Sequence, residues 1–300
     1  MSKKWFGLAA SVVLAAGVLS ACGNKDENAG AGSSPSTAPT AAASNQPSQG
    51  PEVTGTVTAS GSTALQPLVQ LAAQDFMAKN KGANIQVTGG GSGTGVKNVA
   101  DGVSNIGNSD VEAAAEYKDK LVDHIVCIAP FALIVNNDVT IDSVTKQQAA
   151  DIFSGKITNW KEVGGKDAKI NLVHRPDSSG SRKLVQKIIL DGKDFSKEGV
   201  TQDSSKTVAE AVTQGAGSIG YVDVPYITDK VKALKIDGVA YSKDTIKDGK
   251  YPLYGVEHMY TKGEATGATK AFLDFIMSKE FFEKPEVQKM GFLPADLVKK

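Results

Sequence analysis

Short apolar or alternating runs are separated by polar, glycine-rich turns throughout residues 53–297. The stretch VTGTVTASGS alternates as a half-buried strand does, and TALQPLVQLAAQDFMAKN follows its Gly-Ser-Thr turn. Ser62 or Thr63 stands where it would cap a helix in this second stretch. Helical spacing predicts that one face of that helix is buried, formed by Leu65, Leu68, Val69, Ala72, Phe76 and Met77.

The same order of strand, turn and helix recurs along the chain. ANIQVTGG, a glycine-rich turn and VKNVADGVSN repeat it, as do AKINLVHRP and SRKLVQKIIL. The nearly continuous apolar run in DHIVCIAPFALIVNND is typical of a strand covered on both faces, and it is a candidate crossing between two lobes. We also expect a helix that stops at Gly155 and strands in AGSIGYVDV and YPLYGVEHMYT. One closing helix is expected from TKAFLDF to the GFLP end, with Phe272, Phe275 and Ile276 on its buried face. This alternation predicts an α/β protein.

The N-terminus has the pattern of an export signal. MSKK is positively charged, WFGLAASVVLAAGVL is apolar, and LSAC ends in small residues. The apolar run is short for a transmembrane helix, which is the alternative reading. LSAC resembles the lipobox of bacterial lipoproteins, so residues 1–21 are predicted to be removed and Cys22 to be lipidated. Residues 22–52 carry no aromatic and no long aliphatic side chain, which predicts a disordered tether.

Composition and charge exclude several classes of function. Lys+Arg and Asp+Glu balance at 33 each, so no basic surface for nucleic acid is expected. Cys127 lies in the apolar run, where strand alternation turns it away from His124, and a buried structural thiol is the better interpretation. His174 is likewise interpreted as a packed or surface histidine. Without a nucleophile–base pair or metal-ligand spacing, no enzymatic activity, metal or cofactor is predicted.

Four polar turns share the chemistry of anion sites. They are SGST at 60–63, GGGSGTG at 89–95, GNSD at 107–110 and RPDSSGS at 175–181, and helices are expected directly after three of them. Backbone N–H groups at a helix start, together with the helix dipole, favour an anion. Each turn alone is most often just an ordinary helix cap and turn. The glycine-rich turn lacks the spacing of a dinucleotide fingerprint or P-loop, which disfavours nucleotide binding.

With these turns in place, the chain resembles the phosphate-binding lipoproteins of phosphate ABC importers over residues 53–297. The resemblance rests on seven segments in the family's order: GSTALQPL, GGGSGTGVKNV, IGNSD, IFSGKITNW, VHRPDSSGSR, GSIGYV and GFLP. It implies a two-lobed α/β fold of the type II periplasmic-binding-protein class, with the ligand cleft between the lobes. It also implies a monomer that binds inorganic phosphate without metal and delivers it to permease subunits.

The resemblance carries the family's phosphate ligands onto particular positions of this chain: Thr63, the Ala64 N–H, Ser92, Asp110, Arg175, Ser179, Gly180 and Ser181. Further donors are implied at Ser62, Gly93 and Thr94, and Asp177 is expected to orient Arg175. Ser181 replaces a threonine common in the family, and Ala64 replaces a larger residue, so that Ala64 can contribute only its backbone N–H. An ionised Asp110 accepts but does not donate hydrogen bonds, and it would therefore favour protonated phosphate over sulfate.

The resemblance also implies boundaries and a location. Residues 53–133 and 251–300 are expected to form one lobe and 134–250 the other, with crossings near 130–135 and between 231 and 251. The protein is predicted to lie at the outer face of the cell membrane, held by lipid on Cys22. The alternatives are a binding protein for another tetrahedral oxyanion, and a sensor or adhesin that kept the fold without transport. Arsenate is so similar in shape to phosphate that it stays open as a ligand.

Overall fold

A computed structural model of the chain describes residues 52–298. The predictions of a signal segment, of lipidation at Cys22 and of a tether through residue 51 lie outside the described residues. Within these residues twelve strands are present: β1 Gly55–Gly61, β2 Ala83–Gly90, β3 Ile106–Ser109, β4 Val122–Asn136, β5 Ser143–Val144, β6 Asn171–His174, β7 Val200–Thr201, β8 Ser218–Asp223, β9 Val231–Ala233, β10 Lys235–Ile236, β11 Tyr254–Thr261 and β12 Leu293–Pro294.

Helices alternate with these strands, as the pattern predicted. The α-helices are α1 Gln66–Lys79, α2 Ser92–Ala100, α3 Ala115–Lys118, α4 Lys146–Phe153, α5 Gly180–Ile188, α6 Ser205–Gln214, α7 Lys243–Lys247, α8 Gly267–Ile276, α9 Lys279–Phe282 and α10 Pro285–Met290. Short 3₁₀ helices span Trp160–Val163, Val224–Tyr226 and Ala295–Val298. No helix within residues 52–298 is long and apolar enough to cross a bilayer.

Strand β4 connects two groups of strands. Its first part, through Pro130, pairs antiparallel with β11, which in turn borders β3, β1 and β2. From Phe131 onward β4 pairs with β8 and β9, and β8 continues to β6 and β7. Residues 126–135 of β4 are all buried, which explains the near-continuous apolar run. The two-lobed α/β fold class is confirmed, with β4 passing from one group of strands to the other.

Helix α1 shows how the apolar pattern becomes packing. Leu65, Leu68, Val69 and Ala72 are fully buried, and Phe76 packs edge-on against Phe272 with ring centroids 5.6 Å apart. Met77 is only partly buried and lies at the edge of this face. Neither Ser62 nor Thr63 caps α1 directly, because the residue before the helix is Leu65, which makes no side-chain cap bond. The Oγ of Ser62 accepts hydrogen bonds from the N–H groups of Ala64 and Leu65, at 3.1 and 3.0 Å, in the turn that leads into α1.

Two boundaries differ from the sequence prediction. The closing helix is three short helices, because Ser278 caps α9 and Pro285 begins α10. Phe275, expected on its buried face, is only partly buried, whereas Phe272 and Ile276 are fully buried. Helix α2 starts at Ser92, inside the stretch expected to be a turn. Gly90 and Gly91 have positive φ angles, and the helical conformation begins at the next residue, Ser92.

Gly95 allows α2 to lie directly against the backbone of β1 and β3. A Cβ on Gly95 would lie 2.6 Å from the Ser60 carbonyl oxygen and 2.7 Å from that of Asn108. We expect Gly95→Ala to lower the free energy of unfolding by about 1–3 kcal/mol, because backbone on both sides cannot yield. Urea denaturation measures this. Gly93→Ala on the same helix, where the nearest atom to an added Cβ is 3.4 Å away, is the matched control; equal loss in both variants would contradict the prediction.

Candidate functional site

The four polar turns meet between the two groups of strands. The first three follow β1, β2 and β3 and contribute Ser62, Thr63, Ser92 and Asp110. The fourth lies between β6 and α5 and contributes the segment from Arg175 to Ser181. Among these residues the polar side chains at most 4% exposed are Ser62, Thr63, Ser92, Asp110, Arg175, Ser179 and Ser181. Residues more than 60 positions apart in the chain therefore form one buried polar cluster.

Asp110 connects its own turn to each of the other three. Ser62 Oγ donates a hydrogen bond to Oδ1, and Ser181 Oγ donates to Oδ2 at 3.1 Å. The Asp110 backbone N–H donates to Ser92 Oγ at 3.0 Å, which fixes the carboxyl group against the start of α2. Burial raises the pKa of Asp110, while the bond from Ser62 and the charge of Arg175 act in the opposite direction. The carboxyl group is thus buried and surrounded by donors.

Arg175 is held almost entirely out of solvent. Its Nη2 donates to Thr63 Oγ1 at 3.1 Å and to the Asp203 carbonyl at 3.2 Å, and its Nη1 lies 3.4 Å from Ser205 Oγ. Its Nε has no partner among the described residues. Burial lowers the pKa of Arg175, and the charge of Asp110 counters this; an arginine remains charged in such surroundings.

The start of α5 completes the cluster. Ser179 caps this helix, since its Oγ accepts from the Arg182 N–H at 3.2 Å. Gly180 packs so closely that a Cβ there would meet Ser92 Oγ and lie 2.8 Å from Asp110 Oδ2. Only glycine permits this approach, which places the first N–H groups of α5 beside the carboxyl group of Asp110.

Two of the predicted backbone donors, the N–H groups of Ala64 and Gly93, already have partners in the structure. The Ala64 N–H donates to Ser62 Oγ, and the Gly93 N–H donates to the Ser178 carbonyl at 2.8 Å. Thr94 is half-buried in α2, and its methyl group would lie 3.2 Å from a Cβ on Gly90. The role of each of these residues in ligand binding stays a prediction.

Asp177 does not contact Arg175, contrary to the expectation. Its side chain is 99% exposed and pairs with Nε of Arg182 at 3.1 Å. Pro176 separates it from Arg175, and the turn directs its carboxylate outward to the exposed side of α5. The guanidinium of Arg175 is oriented instead by Thr63, Asp203 and Ser205.

Asp177→Asn should therefore leave ligand affinity nearly unchanged. Exposed ion pairs contribute little, so we expect the dissociation constant to change by less than about twofold. Titration calorimetry measures it, with Ser181→Ala as the contrasting variant because its hydroxyl contacts Asp110. A strong loss on Asp177→Asn would instead show that the exposed carboxylate acts on the site.

Several residues that sequence reasoning missed border the same cluster. The Ser205 N–H, at the start of α6, donates to Thr63 Oγ1 at 3.2 Å, and Tyr226 Oη donates to the Thr63 carbonyl at 3.0 Å. The Arg175 N–H donates to Tyr221 Oη at 3.2 Å. Ser205 was recognisable in principle, because DSSK is another serine-rich helix start. The two tyrosines carry no signal in the sequence that separates them from core residues.

Two further carboxyl groups, on Asp223 and Glu257, are completely buried. Burial raises the pKa of each well above its ordinary value, and the charge of Asp110 acts in the same direction. None of their four oxygens has a hydrogen-bond donor as partner among the described residues. Their signal in the sequence is an acidic residue inside an otherwise buried strand, in GYVDV and in YGVEHMY.

The two other residues considered for a chemical role, Cys127 and His174, have structural roles. Cys127 is completely buried and its pKa is raised by burial, as the sequence predicted for an inert thiol. His174 is buried, with Nε2 2.8 Å from the Glu198 carbonyl and its ring packed edge-on against Phe195. Within residues 52–298 no group of His, Cys, Asp and Glu side chains has the arrangement of a metal site.

Comparison with known proteins places the chain in a family. The model of the PBP superfamily domain matches residues 43–280. The chain is 47% identical over 249 residues to the phosphate-binding protein PstS of Bacillus subtilis strain 168, covering 81% of this chain and 82% of that protein. It is also 25% identical over 299 residues to the phosphate-binding protein PstS of Staphylococcus epidermidis RP62A, covering 93% of this chain and 86% of that protein.

Solved structures agree. A phosphate ABC transporter substrate-binding protein from Clostridium perfringens, crystallised with bound phosphate, superposes with a TM-score of 0.76 at 32% identity; the match covers 82% of this chain and all of that one. An ABC-type phosphate transport receptor from Vibrio cholerae has a TM-score of 0.65 at 23% identity, over 80% of this chain and all of that one, and supports the fold alone. The chain therefore belongs to the PBP superfamily and, within it, to the family of the phosphate-binding proteins PstS.

Proposed function

We propose that this protein captures inorganic phosphate outside the cell and delivers it to an ABC importer. The observation that carries the proposal is the pairing of a buried hydrogen-bond acceptor, Asp110, with a buried cation, Arg175, at one junction. A protonated phosphate needs both kinds of partner, because it presents charged oxygens and an O–H group together. The names of the relatives point to the same ligand.

The proposed ligands divide into three chemical roles. Arg175 supplies charge-assisted donors, and its unpartnered Nε shows that its hydrogen-bonding capacity is not used up within the described residues. Helix starts supply neutral N–H and hydroxyl donors that disperse negative charge. Asp110 accepts a hydrogen bond from the O–H group of the ligand. The proposed set is Thr63, Ala64, Ser92, Asp110, Arg175, Ser179, Gly180 and Ser181, with Ser205 added from its contact to Thr63.

Asp110 supports selectivity against fully ionised anions. At neutral pH sulfate carries no proton, so its oxygens would face the carboxylate without a hydrogen bond between them. A site with a buried polar group rejects a ligand that leaves this group unpaired, by about 10⁴-fold in favourable cases. Arsenate carries protons as phosphate does, so Asp110 alone would not exclude it.

The proposed lobes are 53–133 with 251–300, and 134–250. Contacts across this division support binding by closure: Arg175 to Thr63, Ser181 to Asp110, and Tyr226 to the Thr63 carbonyl. The passage of β4 between strand groups at Pro130 and Phe131 supports the first crossing. Tyr251, at the proposed second crossing, donates to the Phe131 carbonyl at 2.8 Å, so the two crossings are linked. Hinges of this kind allow two lobes to close on a ligand.

The location and partners follow from the sequence and the family. Lipid on Cys22 would hold the protein at the outer face of the cell membrane, and the polar segment 23–52 would let a monomeric binding protein reach the permease subunits. The relatives are named as binding proteins, and we propose no catalytic step at this site.

Titration calorimetry of the purified, ligand-free protein tests the proposal. Phosphate, sulfate and arsenate are each titrated at neutral pH, and circular dichroism establishes that the protein is folded. We expect saturable phosphate binding and no sulfate binding. Folded protein that takes up no phosphate would contradict the proposal and favour a sensor or adhesin, whereas equal sulfate binding would favour a general oxyanion carrier.

A further inference from the structure

Glu257 of β11 lies next to Asp110 at the end of β3. These strands are antiparallel, with His258 opposite Ser109, so Glu257 and Asp110 occupy the adjoining positions. A Cβ on Gly255 would lie 3.1 Å from both Glu257 Oε1 and the Asp110 carbonyl oxygen. Both acidic side chains are at most 2% exposed. Two carboxyl groups thus share a site that water does not reach.

The charge on Glu257 has nothing to stabilise it. Neither of its oxygens accepts a hydrogen bond from a donor among the described residues. Burial raises the pKa of Glu257 well above its ordinary value, and the charges of Asp110 and Asp223 raise it further. Two ionised carboxylates in contact would repel each other, whereas a shared proton turns the same contact into a hydrogen bond.

The surroundings decide which partner carries the proton. Asp110 receives hydrogen bonds from Ser62 and Ser181 and is stabilised by the charge of Arg175, whereas Glu257 has no such partners. The proton therefore belongs on Glu257, and the charge on Asp110. An ionised carboxylate has about four acceptor positions. Ser62 and Ser181 occupy two of them. A protonated Glu257 would occupy a third and leave one for a ligand.

The groups that face Glu257 from each neighbouring element are compatible with a neutral Glu257 side chain. From β4 the facing group is the Cys127 thiol, from β8 Asp223, and from the loop after β3 Asp110. Helix α5 presents apolar Leu184, whose Cδ1 lies 3.0 Å from the same Gly255 position. On β11 itself His258 pairs with Asp123, with Nδ1 2.9 Å from Oδ1. The facing groups include no cation in contact with Glu257 among residues 52–298.

We propose that Glu257 is a neutral carboxylic acid that donates a hydrogen bond to Asp110 and so positions the ionised Asp110 to accept a hydrogen bond from a protonated ligand. This inference rests on the proposed function, because it assigns Glu257 a part in selecting protonated oxyanions. A neutral Glu257 also lowers the negative charge of the site. Three ionised carboxylates, on Asp110, Asp223 and Glu257, would outnumber the one charge of Arg175 and repel an anion. Glu257 is a positioning residue, since it acts through Asp110.

Infrared spectroscopy tests the protonation directly. The C=O stretch of a protonated carboxylic acid is separated from the carboxylate bands. Protein labelled with carboxyl-¹³C glutamate should show an isotope-shifted protonated-acid band at neutral pH, because Glu257 is the only glutamate with a fully buried side chain in the described residues. The band should vanish in Glu257→Gln and persist in Glu116→Gln, where an exposed glutamate is replaced.

Phosphate and sulfate titrations of two variants test the consequence. Glu257→Gln keeps a neutral donor to Asp110, and we expect phosphate affinity within about threefold of the unchanged protein and no sulfate binding. Glu257→Met removes the donor at similar volume. Without it, Asp110 becomes more basic, and we expect discrimination against sulfate to fall by about tenfold or more.

Absence of a glutamate protonated-acid band at neutral pH would overturn the inference, and this measurement needs no variant. Loss of phosphate binding in Glu257→Gln but not in Glu116→Gln would also overturn it. If the unchanged protein shows the band but binds no phosphate, the proposed function fails while the assignment of the proton stands. The two failures are thereby distinguishable.

Discussion

Arg175→Met is expected to weaken phosphate binding by about 10²- to 10⁴-fold. The methionine keeps the volume but removes the only cation of the buried cluster, and the ligand's charge would then be buried without a counter-charge. Arg175→Lys keeps the charge but loses the planar pair of donors, and it should fall between methionine and the unchanged protein. Titration calorimetry with phosphate measures both variants.

Lys206→Met is the matched control for Arg175→Met. Lys206 follows Ser205 at the start of α6, but its side chain is 72% exposed and pairs with Glu210. Its loss removes the same charge near the site without removing a buried donor, so affinity should change little. A phosphate affinity of Arg175→Met within tenfold of the unchanged protein would mean that the anion lies elsewhere.

Asp110→Asn is expected to lose most of the discrimination between phosphate and sulfate. The amide places an N–H donor where the carboxylate offered only acceptors, so an anion without a proton can now be bonded. We expect the ratio of the two dissociation constants to fall by about 10²-fold or more, mainly through new sulfate binding. Competition of sulfate against phosphate in calorimetry measures the ratio.

Asp119→Asn provides the control for this change. Asp119 lies directly beyond α3, and its side chain is exposed, whereas that of Asp110 is buried. The variant should retain full rejection of sulfate. If Asp110→Asn also rejects sulfate completely while still binding phosphate, selectivity arises from the donors around Arg175, and Asp110 is a structural link between turns.

Local sequence patterns correctly predicted the elements whose side chains face a single apolar environment. The buried face of α1, the long strand β4 and the stop at Gly155 all follow from spacing or from a residue with restricted conformations. Where two local patterns conflict, the prediction from the sequence was wrong. The closing segment has helical spacing throughout, yet Ser278 and Pro285 divide it into three helices, because local capping and ring geometry overrule a continuous apolar stripe.

Among the residues of the candidate site, local patterns likewise predicted some and missed others. Serine, glycine and one arginine in four turns predicted an anion-binding cluster, because helix starts have a chemistry that the local sequence specifies. Asp177 was assigned to Arg175 because it is near in the chain, and the structure turns it to Arg182 instead. Asp223 and Glu257 lie 48 and 82 positions beyond Arg175, and no local pattern could join them to it.

By itself the sequence determined the α/β class, the order of the elements and the residue types available for an anion, since these depend on neighbours within a few positions. Only the tertiary structure decided that Asp110 meets Ser181, that Arg175 meets Thr63, and that the buried carboxyl groups of Asp110 and Asp223 lie near Arg175. The pairing of β4 with β11 and β8 creates these contacts. Burial and charge then depend on distances in space, which spacing along the chain does not encode.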